Sequence, residues 1–170
     1  DNSHLGIVCS SVRIYSDKVN YEDKTFEIQN NLKEKMLRGN GLIYNSSVLT
    51  KRSIMMELGG FDEDLPKGID SDFYRRCVIS FKYGVEFLPD ITTIVNEYGD
   101  DRMTPLKSQK ALINECKSNL MCLNKFKAEF KKDKAALWLR KRRILRNYLR
   151  LMSLSFNPLY IFRIIRILVV

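Results

Sequence analysis

A chain of 170 residues is long enough to bury one core of ordinary size. Its four cysteines (Cys9, Cys77, Cys116, Cys122) form no CxxC pair and His4 is the sole histidine, which excludes a recognisable zinc module. The net charge of +9 is unevenly placed: residues 105–170 hold 16 Lys/Arg against 3 Asp/Glu, leaving 13 against 17 in the first 104. A slightly acidic part is thus joined to a strongly basic one, which seeks an anionic surface. Reduced, mostly buried thiols in a cytosolic protein are expected. Residues 1–20 alternate polar and apolar without an apolar h-region, so no signal peptide is expected there. The opening on Asp1, not Met, leads us to expect a fragment or a trimmed chain.

In chain order, residues 5–15 (LGIVCSSVRIY) are rich in β-branched side chains and predict a strand. Phe26, Ile28, Leu32, Met36 and Leu37 form a loose helical stripe over 25–38 that ends before Gly39. Residues 41–50 read as extended or mixed, and Ile54–Leu58 as a short helix stopped by Gly59-Gly60. Phe73, Cys77 and Phe81 recur every four residues, predicting one buried helix face closed by Gly84. Val85–Leu88 and Ile91–Val95 read as two short strands joined through Pro89-Asp90. Strands alternating with helices predict an α/β layer and not a bundle.

Thr104-Pro105 pairs an N-cap residue with proline at the first helical position, a good helix start. Helix is predicted from there to about Lys132 and again from Asp133 to about Ser155, the second stretch dense in arginine from Arg140 to Arg150. After Asn157-Pro158 the run LYIFRIIRILVV is too short to span a bilayer. It reads as a basic amphipathic helix lying at a membrane interface, with Arg163 and Arg166 on one face. The alternative is a helix packed on its own domain or on a dimer partner. Arg140–Arg150 lacks a recognised nucleic-acid module, so no nucleic-acid partner is expected.

The chemistry-bearing segment runs from Gly59-Gly60-Phe61-Asp62-Glu63 to Asp70-Ser71-Asp72-Phe73. A glycine pair allows a turn closed to other residues, and Phe61 can anchor it. Two carboxylates then open an apolar-periodic run, an arrangement able to present a base at the mouth of a cleft. The plainer reading is a turn followed by a capped helix. Asp70 and Asp72 have the spacing of a metal-binding DxD, but no metal role is assigned to them. Tyr44, Tyr83 and Tyr98 are candidates for stacking on a sugar ring, with core or rim positions as the alternative. Trp138 fits either a lipid headgroup level or a core face.

The run Gly59-Gly60-Phe61-Asp62-Glu63-Asp64-Leu65, then Gly68-Ile69-Asp70-Ser71-Asp72-Phe73-Tyr74-Arg75-Arg76, resembles the second half of family 2 glycosyltransferases. The resemblance covers roughly residues 5–104. It implies a partial GT-A fold in which residues 1–103 form the acceptor-side half and the N-terminal nucleotide-binding half is missing. Residues 104–170 would be a basic helical extension. The implied reaction is inverting transfer from a nucleotide sugar to a glycan or lipid-linked acceptor, in bacterial polysaccharide or cell-envelope synthesis. Asp70 falls at the catalytic base. Asp72 matches the second acidic position and is expected to orient the helix start or the acceptor. Arg76 matches the motif arginine and is expected to pair with a nearby carboxylate. Gly60, Phe61 and Asp62 would shape the acceptor side.

The resemblance also implies a divalent metal, Mg or Mn, held by a DxD that this chain lacks. Ile69 stands where the family usually has Glu. No histidine lies near Tyr98–Arg102, where Asp100 or Asp101 is the candidate substitute. The isolated chain is therefore expected to be inactive. It is expected in the cytoplasm, peripheral on the inner membrane face, with an anionic lipid surface and a second copy as candidate partners. The competing function is a non-catalytic binding or assembly module that docks through its basic helices.

Overall fold

The computed structural model describes residues 4–16, 19–25, 31–39, 43–97 and 108–169. Strand β1 (Leu5–Ser16) is the axis of a four-stranded mixed sheet. Strand β4 (Gly84–Glu97) runs parallel to it along its whole length. Both antiparallel partners therefore share the other edge. Strand β3 (Val48–Thr50) pairs with Ile7–Cys9, and strand β2 (Val19–Lys24) with Val12–Ser16. Flanked on both edges, β1 buries Ile7, Cys9, Ser11 and Val12 completely. A parallel partner needs a long crossover, and the helices between β1 and β4 supply it.

The two strands expected around Pro89-Asp90 are one strand of 14 residues. Ser10 faces Leu88 while Ser11 faces Ile91, so Pro89 and Asp90 are skipped by the register. Proline has no N–H to give to the ladder, and a bulge accommodates it without ending the strand.

Helix α1 (Leu32–Arg38) falls in the second part of the expected 25–38 stripe; Phe26 and Ile28 lie outside the described residues. Leu32 packs with Ile43, Tyr44, Val48 and Val85 around buried Cys9 and Phe87. Helix α2 (Arg52–Glu57) ends where the glycine pair predicts. Helix α3 (Ile69–Arg75) passes into a wider π turn over Arg76–Ser80. That turn corrects one expectation. Phe73 and Cys77 are fully buried, but the added residue per turn swings Phe81 outward, where it is 43% exposed. The turn is closed by Lys82, at φ +60, and Gly84 already belongs to β4.

The remaining helices are α4 (Gln109–Lys125), α5 (Lys127–Lys132), α6 (Lys134–Ser155) and α7 (Leu159–Val169). Thr104-Pro105, the expected helix start, lies outside the described residues. Ser108 caps α4 by accepting from the Ala111 N–H at 3.1 Å. Asp133 caps α6 in the same way through Ala136 N–H at 2.9 Å. Their shared core holds Leu112, Cys116, Ile144, Tyr148, Leu151, Tyr160 and Ile167. Arg140 is buried there, donating to Asn119 Oδ1 at 2.8 Å and to the Leu37 carbonyl at 2.9 Å.

By contacts the chain divides into two units, Asp1–Met36 with Asn40–Asp62 and Asp70–Met103, and Leu37–Gly39 with Glu63–Ile69 and Thr104–Val170. The first holds the sheet, and the second the helices α4–α7.

Candidate active site

The site draws on two stretches of the sheet unit, the end of α2 through Asp62 and Asp70 to the start of the π turn. At the end of α2 the Gly59 N–H donates to Met56 O and the Gly60 N–H to Met55 O, a Schellman closure. Both glycines have positive φ, +74 and +69. Side chains rarely adopt that conformation, so the glycine pair is demanded by the backbone.

Arg76 holds this turn. Its Nε donates to Asp72 Oδ2 at 2.9 Å, one helical turn earlier, and its two terminal nitrogens donate to Leu58 O at 2.5 Å and Gly60 O at 2.6 Å. The fork of donors ties α3 to the carbonyls that α2 leaves unsatisfied. The guanidinium also lies 5.6 Å over the Phe73 ring, and Phe61 meets that ring edge-on at 5.4 Å. Asp72 is only 2% exposed. Asp72 and Arg76 thus spend these polar atoms on protein groups and brace the turn. The carboxylate expected beside Arg76 is Asp72 itself.

Asp70 lies on the first turn of α3, half-buried, with Oδ1 accepting from the Ser71 N–H at 2.7 Å. Tyr74, one turn on, is buried and donates its hydroxyl to Asn45 Oδ1 at 2.6 Å. Burial first, and then the Asp70 charge, raises the pKa of that hydroxyl. Tyr74 therefore remains a neutral donor, fixing α3 to the segment before β3. Phe61 is partly exposed and Asp62 half-buried, at the open end of the turn. Ile69, in the place of the family's glutamate, is exposed.

The other candidates are dispersed. Tyr83 donates to Glu57 Oε2 at 2.7 Å, and Tyr44 packs against the cluster around Cys9. Tyr98, Asp100 and Asp101 lie outside the described residues. Trp138, in the helical unit, is exposed with the Arg142 guanidinium 5.2 Å over its ring. Among the described residues no group of three His, Cys, Asp or Glu is placed to hold a metal ion. With Asp72 bonded to Arg76, Asp70-x-Asp72 does not form a metal clamp. Among the described residues, these carboxylates are not grouped to hold a divalent ion.

Sequence reasoning located the turn and the acids but missed the hold of Arg76 on Leu58 O and Gly60 O, and the Tyr74–Asn45 bond. An i,i+4 Asp–Arg pair is readable from spacing. Contacts to carbonyls 16 and 18 residues away leave no local signal. No family model, curated protein or solved structure matches the chain.

Proposed function

We propose that residues 1–103 are the acceptor-side part of an inverting, GT-A-type family 2 glycosyltransferase, with Asp70 as general base. The observation that supports this most is a partly accessible carboxylate on a helix start that is braced to a double-glycine turn. Asp70 takes the proton of an acceptor hydroxyl as that oxygen bonds to the anomeric carbon of the donor sugar. The bond from that carbon to the diphosphate oxygen breaks on the opposite face, and the nucleoside diphosphate leaves with the electron pair. The configuration inverts.

The Arg76 clamp keeps the base at a set distance from the turn that forms the acceptor side, and such positioning is a large part of catalysis. Phe61, Gly60 and Asp62 line the acceptor approach. On this reading these residues supply the acceptor side of the reaction, and donor and metal are held by the nucleotide-binding half that the family pairs with it. The acceptor is a glycan or a lipid-linked sugar at the cytoplasmic face of a membrane.

The test is Asp70→Asn in the full-length gene product, assayed with a panel of nucleotide sugars and membrane-extracted acceptors. Transfer should fall by about 10²–10⁴-fold, the usual contribution of a general base, while donor binding stays within a factor of about three. Transfer that survives the substitution removes Asp70 from the chemistry.

A further inference from the structure

Helix α7 is apolar on two faces, and only one of them is covered. Tyr160, Ile164 and Ile167 lie on the side that joins the helical core. Leu159, Phe162 and Ile165, spaced by three residues, and Ile161, one turn before Ile165, lie on the other side and are exposed. Phe162 is 69% exposed, and Phe156, at the left-handed residue that ends α6, is 89% exposed. A helix that is hydrophobic all round is normally covered all round. A contiguous apolar strip facing outward marks an interaction surface.

The charges beside the strip decide what it meets. Arg163 and Arg166 are exposed on its flank, Arg163 with its guanidinium 5.7 Å over the Tyr160 ring. On α6 the outward residues include Arg142, Arg146 and Arg150, together with Trp138 and Leu149. After Asp133 the sequence contains nine Lys/Arg and no Asp or Glu. A second copy docked symmetrically on this strip would bring Arg163 and Arg166 against themselves, with no carboxylate on either helix to answer them. Nucleic acid would engage the arginines but leave the aliphatic strip in water. An anionic bilayer answers both, its headgroups taking the arginines and its acyl boundary the strip. No helix among the described residues is long and apolar enough to cross a membrane. The 11 described residues of α7 are fewer than the roughly 20 that a helical span requires.

We propose that the outer face of α7, through Leu159, Ile161, Phe162 and Ile165 with Arg163 and Arg166, docks on the surface of an anionic lipid bilayer. This docking is independent of sugar transfer, and its test requires neither donor nor acceptor. The 170-residue chain is floated with vesicles of phosphatidylcholine alone, or with roughly one-third phosphatidylglycerol. Binding is expected to the anionic vesicles only, and to weaken as salt screens the arginines. Phe162→Ser with Ile165→Ser should lower it at least about tenfold. Arg163→Gln with Arg166→Gln should lower it about 25-fold, at about fivefold per cation. The second pair leaves the apolar strip intact, so the proposal stays testable even if the first pair unfolds the helix.

Equal binding to both vesicle types, or parental binding by the arginine variant, would overturn it. So would light scattering that shows a dimer dissolved by Phe162→Ser with Ile165→Ser, since a second copy would then be the cover. Competition by single-stranded RNA that abolishes vesicle binding while Phe162→Ser with Ile165→Ser has no effect would assign the face to nucleic acid instead.

Discussion

Asp70 and Asp72 are two residues apart and differ in what their carboxylates touch. Asp72 is buried against Arg76, so removing either partner strands a charge away from water, at a cost of about 3–5 kcal/mol. Arg76→Ala also orphans the Leu58 and Gly60 carbonyls. Urea denaturation should therefore place Arg76→Ala at least about 3 kcal/mol below the parent. Arg76→Lys should recover only part of the loss, because a single ammonium cannot reproduce three directed bonds. Asp70 accepts only a neighbouring backbone N–H among the bonds described for it, and Asp70→Asn should cost less than about 1 kcal/mol. A large stability loss at Asp70 with little at Arg76 would reverse the roles assigned here.

At the scale of elements, the α2–α3 junction and the start of α6 are held by caps. Gly59 and Gly60 have open space where a Cβ would stand, so the penalty of a side chain there is conformational. Gly59→Ala should cost about 1–2 kcal/mol and Gly59→Asn less, because asparagine tolerates the left-handed region. Equal melting temperatures for parent and alanine variant would mean that the turn relaxes into another form. Asp133 accepts the Ala136 N–H and pairs with Arg38 at 3.1 Å. The N–H bond first, and the arginine after it, lower its pKa from 3.8. A lowered folded-state value stabilises above the ordinary carboxyl value and is lost as pH falls through the folded one. Asp133→Ala should therefore destabilise by about 1 kcal/mol at pH 7. The gap between parent and variant should close as the medium is acidified below 3.8. A gap that persists in acid would refute the charged cap.

On the scale of the whole molecule, both units carry buried thiols. Burial pushes Cys9 up to about 12 and Cys77 to about 11 in the sheet unit, and Cys116 to about 12 in the helical one. The unfolded chain releases these protons near 9.0, so between that value and the folded ones the native state binds more protons. Stability is then fully present below pH 9 and falls as pH rises toward 11 and 12. Urea midpoints measured from pH 8 to 10.5 should decline beyond 9, and all four thiols should resist Ellman's reagent until urea is added. Rapid native-state reaction of even one thiol would contradict its burial.

Much of the local architecture was legible in order of residues. The β-branched run of β1, the stop at Gly59-Gly60, the Asp133 break and the helix after Asn157-Pro158 each depend on backbone preferences expressed within a few positions. The candidate base was legible as a residue type in a pattern. Other features were not legible because they arise between distant segments. Parallel pairing of β1 with β4 joins strands some 79 residues apart, as in Leu5 with Gly84, and no local pattern records such a partner. The same is true of Phe81, turned outward by a widened helix, and of Arg76, committed to carbonyls from another element. On α7 the sequence alone determined an apolar helix with two arginines. Only packing decided which apolar face was consumed by the core and which was left exposed, because a helix with two hydrophobic sides contains nothing local to choose between them.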